Sequence, residues 1–168
     1  MLDLIIRGGQ VVTPWGVGDW DIAVQGEKIV AIAAAGTVTE EAGRIVDASG
    51  KIVVPGGIEP HAHIAAPFVA QGQNVSTAPP EQVSRAALFG GTTTLLDFAV
   101  QNPGSDVNQA IAERTSVWQG NSYADYSHHL TLSGEIEPTI LGQVREAVED
   151  GFASVKIFTT NVRPPSIR

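Results

Sequence analysis

The stretch PGGIEPHAHI, residues 55–64, marks the point at which the pattern of the sequence changes. Before it, apolar runs are short, rich in Ile and Val, and separated by turn residues. Gly26-Glu27 lies between two such runs and predicts a tight hairpin, and Ser49-Gly50 predicts a second one within residues 44–54. We therefore expect residues 1–54 to form part of a small all-β domain.

After this stretch, short apolar runs alternate with segments long enough for helices. Residues 79–90 begin with Pro and run into Gly90-Gly91, which is typical of a capped helix. Further helices are predicted over residues 106–119 and 138–150. Predicted strands end in or cover residues 57–64, 92–100, 125–134 and 153–160. The alternation predicts a parallel α/β unit over residues 55–168, either an open doubly wound sheet or a (β/α)8 barrel.

The composition excludes several classes of function. The sequence has 10 Lys and Arg and 18 Asp and Glu. The resulting net charge of −8 argues against binding a nucleic-acid backbone or an anionic membrane. Without cysteine there is no disulfide, thiolate ligand or cysteine nucleophile. No secretory leader and no membrane-length apolar run is visible, so we expect a cytoplasmic protein.

His61 and His63 are the first candidates for chemistry. Residues two apart in an extended segment point to the same side, so the two imidazoles are expected to project together from a strand end. Such a pair suits zinc or a similar divalent ion. A pair of surface histidines is the alternative, but the carboxyl end of a strand is where α/β enzymes place their chemistry.

Lys156 lies within an otherwise apolar predicted strand, SVKIF. An ammonium there can lean to solvent or pair with an acid, since its burial alone is unfavourable. Alternatively, burial and nearby cations lower the pKa of such a lysine and yield a nucleophilic neutral amine. That amine can take up carbon dioxide as a carbamate, a carboxylate on a long arm that could bridge two metals.

Three further residues lie on the predicted strands. Asp97 is placed at the end of the second strand, where we favour a structural role over one beside a metal. His128 and His129 are adjacent, so on a strand they face opposite ways and cannot both enter one site. We expect one of them to point into the core, and neither has the spacing of a metal ligand.

The motifs PGGIEPHAH, GGTTTLLDF, DYSHH and SVKIF, in this order, resemble the amidohydrolase superfamily and within it the hydantoinase and dihydropyrimidinase group. The resemblance covers nearly the whole chain. It implies the first half of a (β/α)8 TIM-type barrel, preceded by part of a β-sandwich domain. It also implies a binuclear metal centre, with zinc or manganese, at the carboxyl end of the barrel strands.

The resemblance assigns roles to three residues. His61 and His63 match the metal ligands of the first strand, and Lys156 matches the carbamylated lysine that bridges the two metals. In the family, a hydroxide between the metals attacks the carbonyl of a cyclic amide, and an aspartate moves the proton to the leaving nitrogen. The resemblance thus implies that Lys156 is both a metal ligand and part of the catalytic machinery. The family members are commonly homo-oligomers, often tetramers.

Two departures from the family pattern matter. The family takes two more histidines and its aspartate from later strands, whereas this sequence stops at Arg168, so we expect a portion of a longer protein or a truncated and inactive product. The family also carries a substrate-contacting tyrosine five residues after the lysine. Asn161 stands there and is our candidate substrate-binding residue.

Three functions are compatible with this pattern. The first is hydrolysis of a cyclic amide C–N bond in a hydantoin, a dihydropyrimidine or a related cyclic imide. The second is a dihydroorotase- or allantoinase-like hydrolysis, since the same metal motifs serve all of these enzymes. The third is a non-catalytic scaffold on the same fold, against which the retention of His61, His63 and Lys156 argues.

Overall fold

The computed structural model describes residues 1–133 and 136–159. The chain divides into two compact units, Met1–Pro55 and a second one from Gly56 onward. The strands of the first unit are β1 (Leu2–Thr13), β2 (Gly16–Gln25), β3 (Lys28–Ala34), β4 (Ala42–Asp47) and β5 (Ile52–Val53). The strands of the second are β6 (Gly57–Glu59), β7 (Pro67–Ala70), β8 (Gln73–Ser76), β9 (Thr92–Gln101), β10 (Asp125–Leu132) and β11 (Val155–Ile157). Its helices are α1 (Pro80–Phe89), α2 (Val107–Trp118) and α3 (Pro138–Glu149).

The first unit is a sheet in the order β3-β2-β1-β4, with β5 also paired to β1. The hairpin predicted at Gly26-Glu27 is confirmed, because β2 and β3 pair antiparallel around it. The hairpin predicted within residues 44–54 is wrong. β4 and β5 pair with β1 rather than with each other, and both run parallel to it.

The reason for this difference lies in β1 itself. β1 has an irregular register between Ile6 and Gly9, where Gly8 adopts a positive φ of 73°. The Ser49-Gly50 turn passes this irregularity, and Ser49 Oγ would lie 3.0 Å from a Cβ placed on Gly8. The turn therefore carries the chain past a bulge along one edge of β1 instead of reversing it.

The second unit contains a four-stranded parallel sheet in the order β11-β10-β9-β6. Each strand thus lies beside its neighbour in chain order, whereas a doubly wound sheet reverses direction at a switch point. This sequential order favours the barrel among the two architectures left open by the sequence. The assignment of residues 1–54 to part of a β-sandwich domain and of residues 55–168 to the first four β/α units of a barrel stays a prediction.

The predicted helices of the second unit are confirmed within a few residues. α1 begins at a proline and is followed by Gly90 and Gly91, and the Asp106 side chain caps α2 by accepting from Gln109 N at 2.6 Å. β11 is shorter than predicted, and β9 continues past Asp97 to Gln101. The β7–β8 hairpin was not predicted. None of the helices in the described residues is long and apolar enough to cross a bilayer.

The core of the sheet lies on the side that faces the helices. A cluster of buried residues joins the strands to the helices there: Val107, Leu130, Leu132, Ile140 and Ala147. His128 lies on this same side and is only 1% exposed. Its ring packs among Trp118, Tyr126 and Phe152, and neither ring nitrogen has a hydrogen-bond partner among the described residues. The expectation that one of the two adjacent histidines enters the core is confirmed.

His128 should make folding sensitive to acid. Burial lowers its pKa to about 4 from an ordinary value of 6.5, with the nearby Arg114 charge acting in the same direction and Asp97 opposing it. Between these values the unfolded chain binds a proton that the folded chain does not, so the free energy of unfolding should fall as the pH drops from 6.5 towards 4. Urea unfolding of wild type and His128→Leu across this range checks it. A slope unchanged by the substitution would contradict it.

Candidate metal centre

The His61 and His63 rings project from the segment that follows β6. Their ring centroids are 5.2 Å apart, in an edge-to-face arrangement. Both side chains are exposed, as a ligand site open to substrate requires. The predicted projection of the two imidazoles to one side of a strand end is therefore confirmed. Their role as metal ligands stays a prediction.

Ala62 and Ile64, which lie between and after the two histidines, attach the segment that follows β6 to the rest of the unit. Ala62 N donates to the carbonyl of Leu96 on β9 at 2.9 Å. Ile64 is 2% exposed and packs in a core cluster with Leu95 and Trp118. The alternation of an extended chain thus buries one set of side chains and leaves His61 and His63 on the opposite side.

Phe98 forms the floor on which the predicted ligands meet. The His63 ring stacks on it at a centroid distance of 4.5 Å, and the His61 ring meets it at 4.7 Å. The Lys156 Nζ lies over the same ring, 4.2 Å from its centroid. His61, His63 and Lys156 come from sequence positions almost a hundred residues apart, and the parallel sheet brings all three to one aromatic ring.

The electrostatics of this cluster favour a neutral imidazole at His63. Partial burial lowers the pKa of His63, and the positive charges of Lys156 and His61 lower it further, while Asp97 opposes them. A neutral imidazole keeps a nitrogen lone pair free, which is the form that binds zinc. The same proximity shows that His63 lies within electrostatic reach of Lys156.

A buried carboxylate holds the histidine segment to the helix layer. Asp97 accepts from Arg114 Nε at 2.7 Å, from Trp118 Nε1 at 2.9 Å and from the Phe98 amide at 2.8 Å. Arg114 Nη2 donates both to Asp97 and to the carbonyl of Ile64. The structural role favoured for Asp97 is confirmed by these bonds.

His129 is a residue of the site whose part in it the sequence did not predict. It lies on the side of β10 opposite His128, and its ring is 5.1 Å from that of Phe98. Its Nε2 is 2.6 Å from the carbonyl oxygen of Pro60, and its Nδ1 is 2.5 Å from Ser154 Oγ. These partners are 69 and 25 residues away in sequence, so no local motif could have indicated them.

The donor set fits a divalent metal in part. Two imidazoles supply nitrogen ligands of the kind that zinc accepts, and a carbamate on the lysine would add oxygen. Across residues 1–133 and 136–159, no group of three or more His, Cys, Asp or Glu side chains is arranged to hold a metal. The candidate substrate residue Asn161 lies outside the described residues.

Comparison with known proteins supports the resemblance that the sequence motifs indicated. The chain is 35% identical over 92% of its length to the D-hydantoinase of Streptomyces coelicolor, and 37% identical over 93% to the allantoinase of Salmonella choleraesuis. A solved structure of the D-hydantoinase (dihydropyrimidinase) from Thermus sp. superposes with a TM-score of 0.80 over 95% of this chain, at 35% identity. The chain is a homologue of the hydantoinases.

This hydantoinase homologue spans about a third of the length of the proteins it matches. It covers 33% of the Streptomyces enzyme, 32% of the Salmonella enzyme and 34% of the Thermus chain. No protein-family model matches the sequence. The amino-terminal portion predicted from the motifs is the portion that fits.

The Asp97–Arg114 pair should be essential to stability. Its carboxylate is 2% exposed and the guanidinium 14%, so Arg114→Met would leave a buried charge without its cation. We expect this variant to lose about 3 to 5 kcal/mol of unfolding free energy, measured by chemical denaturation of the complete protein. Glu113→Gln on the exposed face of the same helix is the control and should stay within about 0.5 kcal/mol. Equal stability of the two variants would refute the buried pair's importance.

Proposed function

We propose that this chain supplies the first part of the metal centre of a hydrolase that opens a cyclic amide C–N bond. The observation that carries the proposal is the meeting of His61, His63 and Lys156 on the Phe98 ring, although β6 and β11 are the two outer strands of the parallel sheet. Homology to proteins named D-hydantoinase supports the substrate class, namely a hydantoin, a dihydropyrimidine or a related cyclic imide.

We also propose that the second unit is the first half of a (β/α)8 barrel and that residues 1–54 are part of a β-sandwich domain. The sequential strand order β6-β9-β10-β11 supports the barrel. In such a barrel the carboxyl ends of the strands form the active face, which is where His61 and His63 lie. The remaining ligands and a proton-transferring carboxylate would then come from later strands.

His61 and His63 would hold one of two divalent ions through neutral imidazole nitrogens. Such ions, zinc or manganese, lower the pKa of a bound water and polarise a carbonyl. The protein's part is to fix the ligands before substrate arrives. The bonds of Ala62 and Ile64 do this by attaching the segment to β9 and α2 on the side away from the histidines.

Lys156 would join both ions as a carbamate. The ammonium first loses one proton to solvent. The neutral amine then attacks the carbon of carbon dioxide, an N–C bond forms as one C–O π bond opens, and a second proton leaves the nitrogen, so that a cationic side chain becomes an anionic one. This change of sign suits a position flanked by His61 and His63, whose bound metals would bring positive charge. Phe98 lies beneath the Nζ, and the same ring contacts both histidines.

Substituting Lys156 tests the metal centre directly. The complete wild-type protein should hold about two equivalents of zinc or manganese, and Lys156→Ala should lose metal and ring-opening activity together because the bridging ligand is gone. Metal analysis and a hydantoin-opening assay measure both effects. Growth or reconstitution with ¹³C-labelled bicarbonate should add a carbamate signal to wild type that Lys156→Ala lacks.

Lys28→Ala is the matched control, since Lys28 is an exposed lysine of β3 in the first unit. It should keep the metal, the carbamate signal and the activity. A well-folded wild-type protein that binds no metal would overturn the enzyme proposal and favour the non-catalytic scaffold. A metal-loaded Lys156→Ala would overturn only the role of the lysine.

Asn161 is our candidate for the residue that sets the preferred ring. Its amide is shorter than a tyrosine and lacks the phenol, so Asn161→Tyr should change the rate, the preference or both on a panel of hydantoins and dihydrouracils. Steady-state kinetics on the panel measure the effect. Rates and preferences that stay as in wild type would show that this position does not contact substrate.

An allantoinase-like activity is the second candidate function. It is favoured by the 37% identity to the Salmonella protein of that name, compared with 35% to the Streptomyces D-hydantoinase. Including allantoin and dihydroorotate in the same panel separates the alternatives. The highest kcat/KM in the panel would identify the substrate class.

A further inference from the structure

The segments that carry His61 and Lys156 are joined by a third side chain. His129 contacts the carbonyl of Pro60, the residue directly before His61, and the hydroxyl of Ser154, two residues before Lys156. Both contacts are short, at 2.6 and 2.5 Å. One imidazole therefore links the segment around Pro60 to the segment around Ser154, which are far apart in sequence.

The carbonyl partner fixes which ring nitrogen of His129 donates. A carbonyl oxygen only accepts, so Nε2 must carry the hydrogen that is donated to Pro60. In a neutral ring Nδ1 is then the acceptor, and the Ser154 hydroxyl donates to it. Both nitrogens are thereby occupied, which leaves His129 no lone pair for a metal.

The His129 ring also packs beside the Phe98 ring. Phe98 lies 5.1 Å from His129, and the same Phe98 contacts His61, His63 and Lys156. His129 is partly buried there, whereas its neighbour His128 lies on the opposite side of β10. Rotation or removal of the His129 ring would therefore affect both the segment that carries His61 and the segment that carries Lys156.

We propose that His129 is a positioning residue that sets the separation between the His61 and Lys156 segments. This inference rests on the proposed function, because the separation matters when both residues bind the same pair of metals. Hydrogen bonds made by groups around metal ligands typically change metal affinity by about 10- to 100-fold. His129 acts here on the backbone of one ligand segment and on a side chain of the other.

Substitutions that remove the two bonds separately provide the test. His129→Phe keeps a ring beside Phe98 and removes both bonds. His129→Gln retains a donor near the Nε2 position, His129→Asn retains a polar atom near the Nδ1 position, and Ser154→Ala removes only the second bond. The zinc affinity of the complete protein, measured by competition with a chelator, is the primary measurement. kcat and KM for the best substrate of the panel are the second.

We expect His129→Phe to weaken zinc binding by about 10- to 100-fold. Ser154→Ala, His129→Gln and His129→Asn should each lose less, because one of the two bonds is kept. Adding Ser154→Ala to His129→Phe should cause no further loss. His128→Leu is the matched control, since it removes an imidazole from the same strand on its other side, and it should bind zinc as wild type does.

Wild-type zinc affinity in His129→Phe would overturn the inference while leaving the proposed function intact. Equal losses in His129→Phe and His128→Leu would also overturn it, since that result indicates general damage to β10. If His129→Phe fails to fold, Ser154→Ala and His129→Gln decide, and wild-type affinity in both rejects the role. A wild-type protein without metal would instead overturn the proposed function on which the inference rests.

Discussion

A carboxylate that has lost its water persists in a protein interior only where hydrogen-bond donors replace that water. Asp97 meets this requirement with a guanidinium, an indole and a backbone amide. Because Arg114 also donates to the carbonyl of Ile64, the same charge connects β9, α2 and the segment after β6. The histidine segment therefore owes its place to a buried ion pair on the side away from the chemistry.

The two sides of the parallel sheet carry out different tasks, and adjacent residues divide between them. Asp97 faces the helix layer while Phe98 faces the candidate site, and His128 and His129 divide in the same way on β10. Alternation along a strand makes this division unavoidable. It places stabilising polar groups within one residue of the functional ones without mixing the two environments.

The candidate site depends on the strands of the parallel sheet more than on any one loop. His61 and His63 follow β6, Phe98 lies on β9, His129 on β10 and Lys156 on β11. Residues on one face of a parallel sheet lie close together, so positions from distant parts of the chain converge there. Phe98 gives these side chains a common apolar surface, and His129 links two of the segments through hydrogen bonds.

The sequence by itself determined the local features of this protein. Proline and glycine at the helix ends, β-branched runs in the strands and the two-residue spacing of His61 and His63 act over a few residues, and the structure follows them. Only the tertiary structure decided the rest. The course of β4 and β5 along β1 depends on a bulge elsewhere in the sheet, and the partners of His129 and Asp97 lie many residues away. Such contacts arise from strand order and packing, which a local pattern of residues does not encode.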